Sequence, residues 1–405
     1  IYKSHLQNNF EKDNSNQFGD ALFSSLNIVF PENTIKEEGL EKFFNIINKK
    51  YYYKPQIKKN YGSFLKEDLI EKYSIKFKHI LNYIKNSTGI IFIYTRYIGA
   101  GIKPLALFLE QNGFSKYSED GGDDNLLGEE RELISYDGKM QSSFKDNSLF
   151  KKANYVTIIG ETPEIRNDLD RKNIINSINN KYGERIKVVL ASKAGGEGID
   201  LHNIREVHIL EPWHNLSTIE QAIGRGIRQN SHIELNKDEC NTTIYLHSTL
   251  NPKTSVDKDI ETYDYYIYRM AENKYLKIAE VEHEFKKNAL NCLATKPTNL
   301  FLKDEIIKLK TSQNKIIMFN IKDKPFSNEC NFKKDCNYKC NLEDDILKAE
   351  EDTSTYDISF GKKYTLFCKK IIKSMFLEDS IYTLDNFINR INKNNNISEM
   401  FIYNS

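Results

Sequence analysis

Two arginines, Arg225 and Arg228, stand in the stretch Gln221-Ala222-Ile223-Gly224-Arg225-Gly226-Ile227-Arg228. A guanidinium keeps its charge in any protein environment and presents a planar fork of donors that matches phosphate oxygens. The spacing predicts that both project from one helical face into one cleft, with Gly224 and Gly226 clearing bulk from that approach. Such a pair can stabilise charge developing on a γ-phosphate, an effect worth on the order of 10³–10⁵ in rate in other NTPases. The plainer reading is a basic amphipathic helix with solvated arginines. Upstream runs Ser192-Lys193-Ala194-Gly195-Gly196-Glu197-Gly198-Ile199-Asp200. Its glycines let backbone amides approach an anion, Ser192 and Lys193 can meet phosphate directly, and Asp200 suits a ribose hydroxyl. Read alone, the same loop is also a tight turn.

The elements that must position these loops are short apolar runs alternating with amphipathic segments. Strands are expected at 90–95, 155–159, 186–190, 207–210 and 243–247, rich in β-branched and aromatic residues. Helical patterns at 101–113, 171–180 and 217–229 separate them. The alternation predicts an α/β fold with a parallel sheet covered on both faces. Ligands of such sheets bind beyond the carboxyl ends of the strands, where both motif loops are expected to fall. A polar stretch at about 115–152 reads as a partly disordered surface insertion. Residues 1–72 read as a connector, 73–250 as the sheet domain, and 251–405 as a mainly helical extension with an irregular stretch at 298–355. No internal repeat is present.

With 405 residues and a formal net charge of +1, the chain is long enough for a large core and lacks a global basic excess. Contact with nucleic acid would therefore need a local groove. No run of eighteen apolar residues points to a membrane span. The chain opens Ile1-Tyr2-Lys3 without an initiator Met or a signal-peptide pattern, as a piece of a longer polypeptide would. Six scattered cysteines suit a reducing intracellular compartment with free thiols. Cys330, Cys336, Cys340 and Cys368 are weak candidates for a metal, because their spacing lacks the paired pattern of a zinc ribbon and no His lies nearby.

The combination of the Ser192–Leu201 loop, Glu211-Pro212-Trp213-His214 and Gln221-x-x-Gly224-Arg225-x-x-Arg228 resembles motifs V and VI of superfamily 2 helicases. The flavour is Swi/Snf-like and closest to the transcription helicases of large DNA viruses, of the poxvirus early transcription factor helicase subunit and nucleoside triphosphatase I type. Leu26-x-Ile28-Val29-Phe30-Pro31, Glu71-Lys72-Tyr73-Ser74-x-Lys76 and Ile93-Tyr94-Thr95-Arg96-Tyr97 fit the same group. The resemblance implies a RecA-like lobe over 73–250. It further implies that Arg225 and Arg228 reach the ATP γ-phosphate, with Gln221 and Gly224 in the same interface and Gly198 and Asp200 towards the ribose. Thr95, Arg96, Ser192 and Lys193 would face a DNA or RNA backbone. Gly160-Glu161-Thr162, Arg171 and Asn179 match an intervening pattern of structural residues, and Trp213 and His214 are expected to pack.

The chain departs from the family where the first lobe should be. It contains no G-x-x-x-x-G-K-[ST] and no Asp-Glu-x-His or Asp-Glu-x-Asp box, the parts that cradle phosphate and hold Mg²⁺. ATP and Mg²⁺ would be held mainly by a missing N-terminal RecA-like lobe, so this chain alone is not expected to hydrolyse ATP. The expected function is the C-terminal lobe of an ATP-dependent translocase in viral-type transcription or genome processing, with a transcription complex as partner. A cytoplasmic viral factory or a virion would be its location. A non-catalytic helicase-like docking subunit is the alternative. A Rossmann-type small-molecule enzyme fits poorly, because Arg96-Tyr97-Ile98-Gly99-Ala100-Gly101 lacks the glycine fingerprint after the first strand.

Overall fold

The computed structural model describes residues 15–160, 162, 165, 167–193, 198–250, 261–341, 361–393, 397 and 402. They fall into two compact units, Ile1–Lys339 and Cys340–Ser405. In the first unit the early elements are α1 (Ser15–Asn27), α2 (Lys36–Phe43), β1 (Phe44–Ile47), β2 (Lys50–Tyr53) and α3 (Pro55–Tyr61). Next come α4 (Ile75–Asn86), β3 (Ile90–Tyr94), α5 (Lys103–Gln111), β4 (Ser115–Lys116), β5 (Asn154–Ile158), α6 (Lys172–Ile175) and β6 (Val188–Ala191). The domain closes with β7 (Ile204–Ile209), α7 (Leu216–Ile223) and β8 (Thr243–Leu246).

Six strands form one sheet in the order β4-β5-β6-β3-β7-β8, every pair parallel. This is the expected α/β architecture. Strands β3, β6 and β7 are buried along their whole length, as parallel strands covered on both faces must be. At the edge, β8 alternates half-buried and exposed residues. The register aligns the carboxyl ends: Tyr94 lies opposite both Ala191 and Ile209, and Ile158 opposite Ala191. Whatever follows those residues must emerge along one edge.

Residues 28–73 do not stand apart from the sheet domain. Ile28, Phe30, Leu40, Phe43 and Phe64 share one core with Phe77 of α4 and Phe108 of α5. Aromatic rings meet there edge-on, as in Phe30–Phe64 at 6.0 Å, a geometry that adds to simple burial. The stretch at 115–152 is also anchored, contrary to the expectation of a partly disordered insertion. Leu126 and Leu127 are buried, each worth about 1.5–3 kcal/mol. The Glu110 carboxylate accepts from both of their backbone N–H groups and from the Tyr155 hydroxyl at 2.6 Å. A polar composition hid this because two apolar residues and one buried acceptor suffice to pin the segment. Burial pushes the Glu110 carboxyl above the usual carboxylate range.

Under the sheet's far strands, Glu206, His208 and His247 form a buried relay. His208 Nε2 lies 3.1 Å from Glu206 and its Nδ1 3.0 Å from His247 Nε2. Burial, with His208 alongside, holds the His247 imidazole well below its ordinary value. An unfolded imidazole takes its proton near pH 6.5 (about), whereas folded His247 resists it. The unfolded state therefore binds more protons below that pH. Stability is complete above it and is lost as pH falls towards the lowered value. Urea midpoints should drop between neutral pH and mild acid, and His247→Gln should flatten that drop. An unchanged slope in the variant would refute the assignment.

Beyond the sheet domain run α8 (Tyr263–Asn288), α9 (Cys292–Asn299) and an antiparallel hairpin of β9 (Ile306–Lys310) and β10 (Ile316–Asn320). The extension is therefore not wholly helical, and the stretch expected to be irregular holds this hairpin. Cys330 and Cys336 are joined by a disulfide, which corrects the expectation of free thiols. Cys340 is disulfide-bonded as well, so all three leave the weak metal set, and no group of three His, Cys, Asp or Glu placed for a metal occurs among the described residues. In the second unit, α10 (Gly361–Glu378) and α11 (Leu384–Asn392) pack around Cys368, Ile391, Ile397 and Ile402. Cys368 is a buried free thiol within that apolar cluster. No helix among the described residues is long and apolar enough to cross a membrane.

Candidate nucleotide and nucleic-acid site

The two motif loops do not share one edge of the sheet, as the sequence had led one to expect. Ser192 and Lys193 emerge at the carboxyl end of β6, beside Thr95 and Arg96 at the end of β3. The loop must then return along the sheet, because β7 is parallel to β6. Leu201 N donates to Arg225 O at 3.0 Å, and Asn203 N to Ser231 O at 2.8 Å. Ile204, which follows, pairs with Ile90, the first residue of β3. The second half of the glycine loop and the arginine turn thus meet towards the amino-terminal ends of the strands. Residues 194–197, with Ala194, Gly195, Gly196 and Glu197, lie outside the described residues.

The arginines are not on a helical face either. Helix α7 ends at Ile223, with Gly224 at its C-cap and Gly224 N bonded to Glu220 O at 2.7 Å. Two glycines within three residues weaken the helix there, and Gly226 packs so closely that a Cβ would sit 3.1 Å from Ile204. Arg225 and Arg228 occupy the turns that follow. The apolar side of α7, Ile219 and Ala222, is buried against Ile204 and Leu201, which fixes where those turns begin. Gln221 is exposed on the same helix.

Arg228 is half exposed and its Nε lies 3.4 Å from Asp200 Oδ1, an ion pair without hydrogen-bond geometry. Its Nε also donates to Gly224 O at 3.2 Å. Arg225 is half-buried, and its Nε has no partner. Gly198 has φ +76° and open space on its Cβ side. Orphaned donor and acceptor atoms beside an open glycine turn fit a bound polyanion and its sugar. These residues are brought together by the tertiary structure, although none of them alone marks a pocket.

The carboxyl edge holds a different assembly. The Arg96 guanidinium lies 4.6 Å from the Trp213 ring, and Lys193 Nζ lies 5.3 Å from the same ring. Arg96 also stacks over Tyr97 at 5.3 Å and approaches Asp20 at 3.5 Å. Two cations on one half-buried indole make a platform for a base face with charge for the adjacent phosphates. Trp213 packs against the sheet core, as expected, while the same ring carries these two cations. Its signal was the tetrapeptide Glu211-Pro212-Trp213-His214 directly after β7, which must emerge beside Thr95. His214 sits next to this platform, and burial together with Arg96 and Lys274 lowers its imidazole.

Glu211 organises the edge from beneath. Its carboxylate accepts from Thr95 Oγ1 at 2.6 Å and from Arg96 N at 3.1 Å, and Asn27 donates to it as well. Thr95 is fully buried, so its hydroxyl serves this contact instead of pointing at a ligand. Burial pushes the Glu211 carboxyl upward, opposed by the Thr95 bond and the charge of Lys76. Ser192 is likewise buried, and its hydroxyl has no partner.

With this geometry established, comparison with known proteins shows that residues 128–230 match the helicase conserved C-terminal domain. A protein of Acanthamoeba polyphaga mimivirus described as an ATP-dependent RNA helicase is 27% identical over 368 residues, covering 82% of this chain and 30% of the relative. A second mimivirus protein of that description is 30% identical over 207 residues, covering 49% and 31%. A termination factor NPH-I homolog of African swine fever virus is 30% identical over 259 residues, covering 58% and 36%. The chain thus spans about a third of the length of these viral relatives. The C-terminal part of the Fun30 ATPase domain superposes with a TM-score of 0.24 at 16% identity, over 48% of each chain. The matched stretch contains both arginines and both motif loops.

Proposed function

We propose that this chain is the C-terminal lobe of an ATP-dependent nucleic-acid translocase acting in viral-type transcription or genome processing. Residues 73–250 form the lobe, 1–72 the connector to a first lobe outside this chain, and 251–405 an extension that meets a transcription complex. ATP and Mg²⁺ are held mainly by the first lobe. Arg225 and Arg228 reach the γ-phosphate, Gln221, Gly224, Gly198 and Asp200 complete this wall of the nucleotide pocket, and the nucleic-acid backbone runs across Arg96 and Lys193 over Trp213. Ser192 lines the same edge and Thr95 positions it. The supporting observation is the division of the motif loops. One half joins the arginine turn through Leu201 N and Arg225 O, and the other joins the cation-covered indole at the opposite edge. A lobe built this way touches nucleotide and nucleic acid through one continuous loop, which is what coupling between them requires.

Trp213 is the only tryptophan in the chain, so its fluorescence reports on the platform directly. Titration with single-stranded oligonucleotide should quench it, with an affinity that falls as salt rises. Arg96→Ala should weaken binding while leaving the indole in place. Trp213→Ala should cost about 1–3 kcal/mol of binding, read by anisotropy of labelled oligonucleotide. Unchanged emission at saturating oligonucleotide would remove the platform from the proposal.

A further inference from the structure

The hairpin of β9 and β10 has one wholly apolar face and one on which apolar residues pair with Lys308, Lys310 and Asn320. Cross-strand pairs put Ile307, Leu309, Ile317 and Phe319 on one side, while Ile306 (62% exposed), Ile316 (62%) and Met318 (68%) lie on the other. A two-stranded hairpin is marginal by itself, and a sheet normally turns a polar face to water. Here the tip is rooted in the sheet domain. Thr88 N donates to Ser312 O at 2.8 Å, Gln313 Nε2 to Glu206 at 2.6 Å, and Arg205 and Asn241 both donate to Lys310 O, at 2.6 and 3.0 Å. The domain thus holds the turn and leaves both strands in solvent.

A groove of about 620 Å³ continues the surface at the base of the hairpin, where Ile321 N bonds Glu305 O and Asp323 N bonds Phe301 O. Leu293, Pro297, Phe301 and Ile321 line it together with Lys296, Lys303 and one acid, Glu305. On the hairpin itself Lys308 and Lys315 are exposed, and beyond it Lys324 is exposed over the Phe319 ring. Among the described residues no ion pair is recorded for any of these five lysines, while the neighbouring Lys322 is paired with Asp304. Contiguous apolar surface of this kind marks an interaction site, and unpaired charge around it sets the sign of what binds.

We propose that the hairpin and its basal groove dock an acidic protein segment that carries bulky apolar anchors. The anchors fill the Phe301 groove and cover Ile316 and Met318, and the segment's carboxylates meet these lysines. A nucleic-acid backbone would satisfy the lysines but leave the aliphatic side chains in water, so a protein segment fits better. The docking is separate from the nucleotide and nucleic-acid surfaces proposed above and can fail or stand without them.

The test uses the whole chain and a fluorescein-labelled synthetic peptide of Asp, Glu, Leu and Phe, with a counterpart in which Lys replaces every acid. Anisotropy should show binding of the acidic peptide alone, weakened by raised salt. Phe301→Asp and Met318→Asp should each lower affinity about tenfold or more, and Lys303→Glu with Lys308→Glu should do likewise. All four substituted positions are exposed, and an unchanged melting temperature confirms folding. Four results would overturn the proposal: equal binding of both peptides, binding insensitive to these substitutions, displacement by single-stranded DNA, or self-association of the chain abolished by Phe301→Asp.

Discussion

Replacing Arg228 with alanine, in the polypeptide joined to its first lobe, is expected to lower nucleic-acid-stimulated ATP hydrolysis about 10³-fold or more. That is about 4 kcal/mol of transition-state stabilisation. The side chain is half exposed and its polar partners among the described residues are Asp200 and Gly224 O, so its loss should leave the melting temperature nearly unchanged. Arg228→Lys keeps the charge but not the fork, and should recover only a small part of the rate. Oligonucleotide affinity should stay within a few-fold of the parent, because the indole platform stands at the other edge of the sheet. Arg225→Ala should behave alike. Hydrolysis by the Arg228→Ala protein at the parental rate would show that the turn does not face a γ-phosphate.

The largest effect on stability is expected at Lys76. Its ammonium pairs with Asp264 at 2.7 Å, and the two side chains are only 2% and 0% exposed. It also donates to Asn27 Oδ1 at 3.2 Å and to Leu210 O at 3.0 Å. Lys76→Ala strands the Asp264 carboxylate in the interior, a loss of about 3–5 kcal/mol. Against a total stability of about 5–15 kcal/mol, that is enough to unfold much of the population on mild heating. Replacing both partners with apolar residues of similar volume, Lys76→Met with Asp264→Leu, should cost far less, since no uncompensated charge remains. Urea denaturation of the single and double variants separates the outcomes. A single variant within about 1 kcal/mol of the parent would show that the pair is solvated.

Much of this was readable in the residues. The β-branched runs expected as strands at 90–95, 155–159, 186–190, 207–210 and 243–247 all fall on strands of one parallel sheet, with bounds shifted by up to three residues and the last strand at a half-exposed edge. The arginines, the glycine loop and the loop after the first long strand stood out as candidates because their chemistry depends on residue type. The cations gathered on Trp213 did not, since they and the ring come from three separate loops that meet only in the fold. The disulfide between Cys330 and Cys336 was missed for a similar reason: the pairing of thiols depends on a chain path that spacing leaves open. The hairpin at 306–320 was hidden by its lysines and polar turn, which read as irregular chain.

Residue type and local pattern, acting over a few neighbours, thus determined the strands, the parallel sheet and the inventory of charged and glycine-rich loops. Only the tertiary structure decided where those loops stand. The return of the chain from β6 to a parallel β7 carries Asp200 and the arginine turn away from Lys193. The burial of Glu211 and Lys76 ties α1, α4 and α8 beneath Arg96. Such placement depends on contacts between residues more than a hundred positions apart, which local periodicity does not encode.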